Sequence, residues 1–290
     1  MAEQRRISLP NALEQTLESE SGRKFLVQIS WPLQWNEQDR FQARQCPVIY
    51  IVDGNALFLT ATEASWRTAS SPHYQGGGIV VAVGYVLQGK VFDRNRGYDL
   101  TPRTPGATGE SGGADAFLDF ILESVRPMVA RCFPHTTFTR KALYGHSYGG
   151  LFALNALLTR PDSFDLFIAS SPSAWFQGGW IIEEAKRFAN AKAVGLGVGQ
   201  TNPSLMFLSG SLEQYPRRWH DEPLEDFEKR QKSCAELKMS DNAQELRDIL
   251  QSSGRLAAVS LDEYTGEDHG TVMACTLSRS LTTFFDEWPL

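Results

Sequence analysis

Two stretches of the chain have the spacing Gly-x-Ser-x-Gly, one at Gly145-His146-Ser147-Tyr148-Gly149 and one at Gly109-Glu110-Ser111-Gly112-Gly113. The spacing suits nucleophilic acyl transfer, which needs a serine on a tight strand-to-helix turn. There the glycines let neighbouring backbone pass close, and Oγ projects into open space. The string alone does not choose between the two serines, but their flanks do. Ser147 follows the short apolar run Ala142-Leu143-Tyr144 and precedes Gly150-Leu151-Phe152-Ala153-Leu154, which opens a helix. Ser111 follows Thr101-Pro102-Arg103-Thr104-Pro105-Gly106, which can form neither a central strand nor its hydrogen-bond ladder. Ser147 is therefore the candidate nucleophile. The same turn puts the Tyr148 backbone N–H at a helix N-terminus, where it can stabilise an oxyanion.

A serine hydroxyl needs an imidazole to take its proton, and the chain offers five. His146 lies inside the turn and is expected to point away from Ser147. His73 and His135 precede the strands that would carry them, and His220 falls in a polar insertion. His269 lies in Glu267-Asp268-His269-Gly270, beyond the last apolar run and before the last helix, where the chain order serine, acid, histidine puts the base. The orienting acid should follow the apolar run 205–208. Glu213 is placed for it, with Asp221 and Glu222 further on and a Ser–His dyad without a third member still open. The second oxyanion N–H should come from the loop after residues 48–52, where Asp53-Gly54-Asn55 offers Asn55, with a simple Asp-Gly turn as the alternative.

These residues need a scaffold, and the apolar pattern supplies one. Strand-length apolar runs fall at 25–29, 48–52, 79–83, 142–144, 166–169, 205–208 and 256–261, with helical spacing at 114–130, 151–158, 181–189, 227–250 and 271–285. Alternation of this kind requires crossovers. It predicts an α/β fold with a mostly parallel sheet and helices on both faces, in one domain over 1–290, with an antiparallel edge among the first segments. Segments at about 90–113 and 213–230 interrupt the rhythm and are candidate lid or substrate-binding loops.

Composition excludes several classes. With 42% apolar and 21% charged residues the chain is an ordinary globular one, and a formal net charge of -6 argues against an electrostatically driven nucleic-acid binder. The longest apolar run, 79–87, is too short to span a bilayer, and the polar start of the chain lacks the apolar core of a secretory signal, so a cytoplasmic protein is expected. Cys46, Cys132, Cys234 and Cys275 have no metal-site spacing and are read as reduced thiols. The oligomeric state is not encoded in any of these features.

Taken together, Tyr144-Gly145-His146-Ser147-Tyr148-Gly149-Gly150-Leu151-Phe152, Asp53-Gly54-Asn55, Asp99-Leu100-Thr101-Pro102, Gly112-Gly113-Ala114, Ser171-Pro172-Ser173-Ala174-Trp175 and Asp268-His269-Gly270 resemble the esterase D-like α/β-hydrolases that include the siderophore esterases. In detail they are most similar to the fungal enzymes acting on fusarinine-type hydroxamates such as triacetylfusarinine C. The resemblance implies hydrolysis of a ferric chelate's ester bonds, with Ser147 and His269 as nucleophile and base, Glu213 at the acid position and Trp175 near the pocket. No metal or cofactor is implied, since the iron belongs to the substrate. Arg94 and Arg96, with Arg103, Arg217 and Arg218, could give the insertions a basic rim for that substrate, although solvated surface charge explains them equally well. Another carboxylesterase, a thioesterase such as S-formylglutathione hydrolase, or a non-catalytic binding protein on the same scaffold are the alternatives.

Overall fold

The computed structural model describes residues 7–70, 76–105, 109–191 and 202–290. Its strands are β1 (Ala12–Glu18), β2 (Lys24–Ser30), β3 (Arg44–Val52), β4 (Ile79–Tyr85), β5 (Thr136–His146), β6 (Leu166–Ser170), β7 (Ser204–Gly210) and β8 (Val259–Tyr264). They form one sheet in the order β1-β2-β4-β3-β5-β6-β7-β8. β1, β2 and β4 pair antiparallel, which is the expected antiparallel edge, and β4 through β8 are parallel. β4, β6 and β7 are buried along their whole length, so they read as unbroken apolar runs rather than as an alternation.

Helices cover both faces. α1 (Gly54–Ser70) and α9 (Val272–Phe285) pack Leu57, Phe58, Ala61, Leu277, Leu281 and Phe284 against Ile49, Ile51, Ala142 and Tyr144. The alternate residues Val48, Tyr50, Val52 and Leu143 face the opposite core. That core takes in α3 (Ala114–Phe120), α4 (Arg126–Cys132), α5 (Tyr148–Thr159), α6 (Phe176–Asn190) and α8 (Met239–Ser252). A single π-type turn, Ile121–Val125, joins α3 to α4, so the helix expected over 114–130 is continuous. This layering, with the Ser147 turn joining β5 to α5, is the α/β-hydrolase fold.

Several elements differ from expectation. α1 and β1 are additional. β1 has only Ala12, Leu13 and Leu17 as apolar residues, because it is an edge strand with half its residues exposed. The last strand runs three residues later than the apolar run 256–261, since β8 is the other edge and carries solvent-facing Asp262 and Glu263. The helix expected over 227–250 is two helices, α7 (Leu224–Leu237) and α8, broken where Lys238 adopts a left-handed φ of 50°. α7 buries none of its residues, whereas α8 buries Met239, Ala243, Leu246 and Leu250 along one stripe.

Candidate active site

Parallel strands deliver their C-terminal ends to one edge of the sheet, and loops gather there. The loops after β3, β4, β5, β6, β7 and β8 carry Asp53 to Asn55, Arg94 and Arg96, Ser147, Ser171 to Trp175, Glu213 and His269 respectively. Both interrupting segments, 90–113 and 213–230, leave the sheet at this same edge. The first of them contains the short helix α2 (Arg96–Asp99).

Ser147 joins β5 to α5 with φ 60° and ψ -117°, a strained conformation for a non-glycine residue. The surroundings enforce it. The Ser147 N–H donates to the Ser170 carbonyl at 2.9 Å, and the Ser147 carbonyl accepts from the N–H groups of Leu151 and Ser173 at 3.0 and 3.1 Å. Gly145 is obligatory, because a Cβ there would lie 2.0 Å from the Gly149 carbonyl oxygen. The Ser147 hydroxyl pairs with the Ser173 hydroxyl at 3.2 Å. By contrast, Ser111 sits in a bend with no strand before it.

Glu213 is buried, its side chain only 1% exposed, and each carboxylate oxygen has a defined task. Oε1 accepts from the Gly210 N–H and the Ser171 hydroxyl, both at 2.6 Å. Oε2 lies 2.6 Å from His269 Nδ1. That contact assigns the proton to Nδ1 and leaves Nε2 as the basic nitrogen. The histidine loop is fixed in turn by Asp268, whose carboxylate accepts from the Gly270 and Thr271 N–H groups at 2.9 and 3.0 Å. Those backbone bonds hold the Asp268 pKa below its ordinary value. The His269 ring packs on that of His146, the neighbour of the nucleophile, at 4.6 Å between centroids. His146 thus points into the molecule, and His220 is fully exposed beside Asp221. His73 lies outside the described residues.

Tyr148 opens α5 and Asn55 lies in the first turn of α1, so neither backbone N–H has an intrahelical partner. The Asn55 side chain is occupied elsewhere: it accepts from the Tyr85 N–H at 2.7 Å and donates to the Tyr85 carbonyl at 2.9 Å. With the side chain oriented on Tyr85, the backbone N–H is the candidate oxyanion donor. Trp175 is half-buried with its ring 6.0 Å from that of Tyr148, and Phe176 lies 6.1 Å from Tyr148 on an edge-to-face contact. Arg94 is exposed. Arg96 instead turns inward and forms a bidentate pair with Asp53, Nε to Oδ1 at 2.8 Å and Nη2 to Oδ2 at 2.7 Å. Burial works to lower the Arg96 pKa, and the hydrogen bonds and charge of Asp53 more than offset it, leaving it above the ordinary value.

Sequence reasoning gave no role to Ser171, Ser173 or Asp53, which bond to Glu213, Ser147 and Arg96. The available signal was their place in Ser-Pro-Ser and Asp-Gly-Asn turns directly after parallel strands. Among the described residues no three His, Cys, Asp or Glu side chains are arranged to hold a metal ion, and no helix is long and apolar enough to cross a membrane.

Comparison with known proteins matches residues 19–255 to the family model described as Putative esterase. The siderophore triacetylfusarinine C esterase of Aspergillus fumigatus is 53% identical over 284 residues, covering 98% of this chain and 96% of the relative. The siderophore enterobactin esterase of Emericella nidulans is 44% identical, covering 89% of this chain and 88% of the relative. Among solved structures, the siderophore hydrolase EstB from Aspergillus nidulans superposes with a TM-score of 0.94 at 50% identity, covering 100% of this chain and 99% of that one.

Proposed function

This chain belongs to the Putative esterase family, and from that premise we propose that it is a serine esterase that opens the ester bonds of a ferric triacetylfusarinine C-type siderophore. One observation carries the substrate class: the 53% identity with a triacetylfusarinine C esterase runs through 98% of the chain, both insertions included. The match to an enterobactin esterase is weaker and shorter.

His269 Nε2 takes the Ser147 proton as Oγ attacks the ester carbonyl. Glu213 stabilises the imidazolium that forms and does not itself take the proton. The Tyr148 and Asn55 backbone N–H groups receive the developing oxyanion. His269 then protonates the departing alcohol, and a water activated by the same imidazole releases the acid from Ser147. The oxygens of the ester and of the water supply all the groups exchanged, and the iron enters with the substrate. Trp175, with Tyr148, walls the acyl side, while Arg94 and the two insertions face the chelate. Cys46, Cys132, Cys234 and Cys275 are all unpaired thiols. That state suits the reducing cytoplasm, where a chelate must be opened after uptake.

The test is product analysis by mass spectrometry of ferric triacetylfusarinine C incubated with the enzyme, beside ferric enterobactin, formylglutathione and p-nitrophenyl acetate. Stepwise gain of water by the hydroxamate chelate, at a kcat/KM above that for the others, supports the reading. Preference for formylglutathione or the catecholate overturns it.

A further inference from the structure

We propose that Arg96 is a positioning residue for the oxyanion hole, coupling its two backbone donors through Asp53 on one side and the Tyr148 ring on the other; this rests on the serine-esterase reading above. Asp53 is the residue between β3 and α1, buried and in the left-handed region at φ 57°. An L-residue stays there only where its surroundings over-determine it. Its carbonyl accepts from the Ala56 N–H at 2.9 Å, which starts α1, and both carboxylate oxygens are taken by Arg96. The same carboxylate reaches the nucleophile turn: Oδ2 lies 3.5 Å from where a Cβ on Gly149 would stand. Asp53 therefore belongs to the loop that presents Asn55 and lies beside the turn that presents Tyr148.

Arg96 also meets the side chain of the residue that carries the second donor. Its guanidinium carbon lies 5.6 Å from the centre of the Tyr148 ring and 5.2 Å from that of Phe92. The other end of α2 is tied into the same group of residues. Asp99 pairs with Arg23 and accepts from the Tyr85 hydroxyl at 3.1 Å, and Tyr85 is the residue whose backbone the Asn55 carboxamide clamps. The first insertion thus braces the Asn55 loop at both ends of α2. With a side chain 16% exposed and two of its three nitrogens on Asp53, Arg96 is poorly disposed to act as a rim cation. Removing it frees a buried carboxylate beside the hole, where a negative charge opposes the developing oxyanion.

Arg96→Gln, Asp53→Asn and the double variant should be assayed with p-nitrophenyl acetate and with ferric triacetylfusarinine C. A trifluoromethyl ketone, whose hemiketal carries the oxyanion, should be included as inhibitor. The expected result for Arg96→Gln is a kcat lower by about tenfold to a hundredfold on both substrates, with KM within about twofold and the ketone weakened by the same factor as kcat/KM. In the Arg96→Gln background Asp53→Asn should add no further loss and should recover part of it, since it removes the unpaired carboxylate. A rise in KM confined to the chelate, an unchanged ketone affinity, or fully additive losses would each overturn the proposal. Should Arg96→Gln not fold by near-UV circular dichroism, Arg96→Lys, which keeps charge but not the bidentate fork, carries the same readouts. Failure of the siderophore reading would show instead as wild-type enzyme that turns over p-nitrophenyl acetate but not the chelate.

Discussion

The imidazole of His146 packs against that of His269 with ring centroids 4.6 Å apart and planes inclined at 40°. Two histidines in contact cannot both be charged cheaply, and the structure resolves this by burying one. Burial, with the charges of His269 and Arg96 adding to it, pulls the His146 pKa down from 6.5 to about 3, while its Nδ1 pairs with the Ser170 hydroxyl at 3.0 Å. His146 is then neutral wherever the enzyme works, and an imidazolium can form at His269 beside an uncharged neighbour.

The pH dependence of stability follows from that depressed value. Below about pH 6.5 the unfolded chain protonates this histidine and the folded chain does not, so the unfolded state binds more protons and stability falls as pH falls. The slope from this group approaches about 1.4 kcal/mol per pH unit between pH 6 and 4, and vanishes above pH 7.5. Urea unfolding at pH 7, 6 and 5 should show the loss, and His146→Gln should flatten it by about that slope. An identical slope in the variant assigns the pH dependence to other groups.

Glu213→Gln probes the acid. Glutamine Oε1 can still accept from the Gly210 N–H and the Ser171 hydroxyl, so the loop after β7 should keep its shape. Its amide NH2, however, would face His269 Nδ1, which must then accept, and the ring proton moves to Nε2. That is the tautomer that cannot take a proton from Ser147. The expected outcome is a kcat lower by about a thousandfold or more, with KM little changed and melting temperature within a few degrees of wild type. A loss of less than tenfold would reduce the site to a Ser–His dyad.

Gly84→Ala tests the packing behind Asn55. A Cβ at this position would stand 2.3 Å from Asn55 Oδ1 and 2.9 Å from its backbone nitrogen. The carboxamide has to move, breaking its clamp on Tyr85 and shifting the first turn of α1. A displacement near 1 Å costs about a hundredfold where geometry sets the barrier. Turnover of p-nitrophenyl acetate should fall accordingly. A variant with full turnover would place the second oxyanion donor elsewhere than Asn55.

The sequence carried the site better than it carried the edges of the fold. Ser147, Glu213 and His269 follow the apolar runs in loop order, and of these the structure joins Glu213 to His269 directly, while Ser147 lies on the turn whose His146 packs against the His269 ring. β1 and the second half of β8 were hidden because edge strands expose half their side chains and look polar. α1 was hidden because Thr60, Thr62, Ser65 and Thr68 interrupt its apolar spacing, although Thr62, Ser65 and Thr68 are buried. The Thr62 hydroxyl meets that of Ser30. Arg96 shows a different limit: arginines in a polar loop look alike in sequence, and only the pairing with a carboxylate 43 residues away separates Arg96 from the exposed Arg94.

The second insertion gives the last prediction. Trp219 is 59% exposed, yet it is held in place: the Arg230 guanidinium lies 4.1 Å from its ring, and Glu222 accepts from the Trp219 N–H at 3.1 Å while pairing with Arg230. An aromatic side chain fixed in solvent on the edge of the sheet that carries Ser147 is a surface for an apolar ligand, because its ordering cost has already been met before binding. Covering such a ring is worth about 1–2 kcal/mol, or roughly tenfold in affinity. The acyl arms of a bulky chelate reach beyond the serine, whereas p-nitrophenyl acetate is small enough to sit beside it. Trp219→Ala should therefore lower the ratio of kcat/KM for ferric triacetylfusarinine C to that for p-nitrophenyl acetate by about fivefold to tenfold, chiefly through KM. An unchanged ratio would remove the 213–230 insertion from the chelate's path and leave recognition to Trp175 and the first insertion.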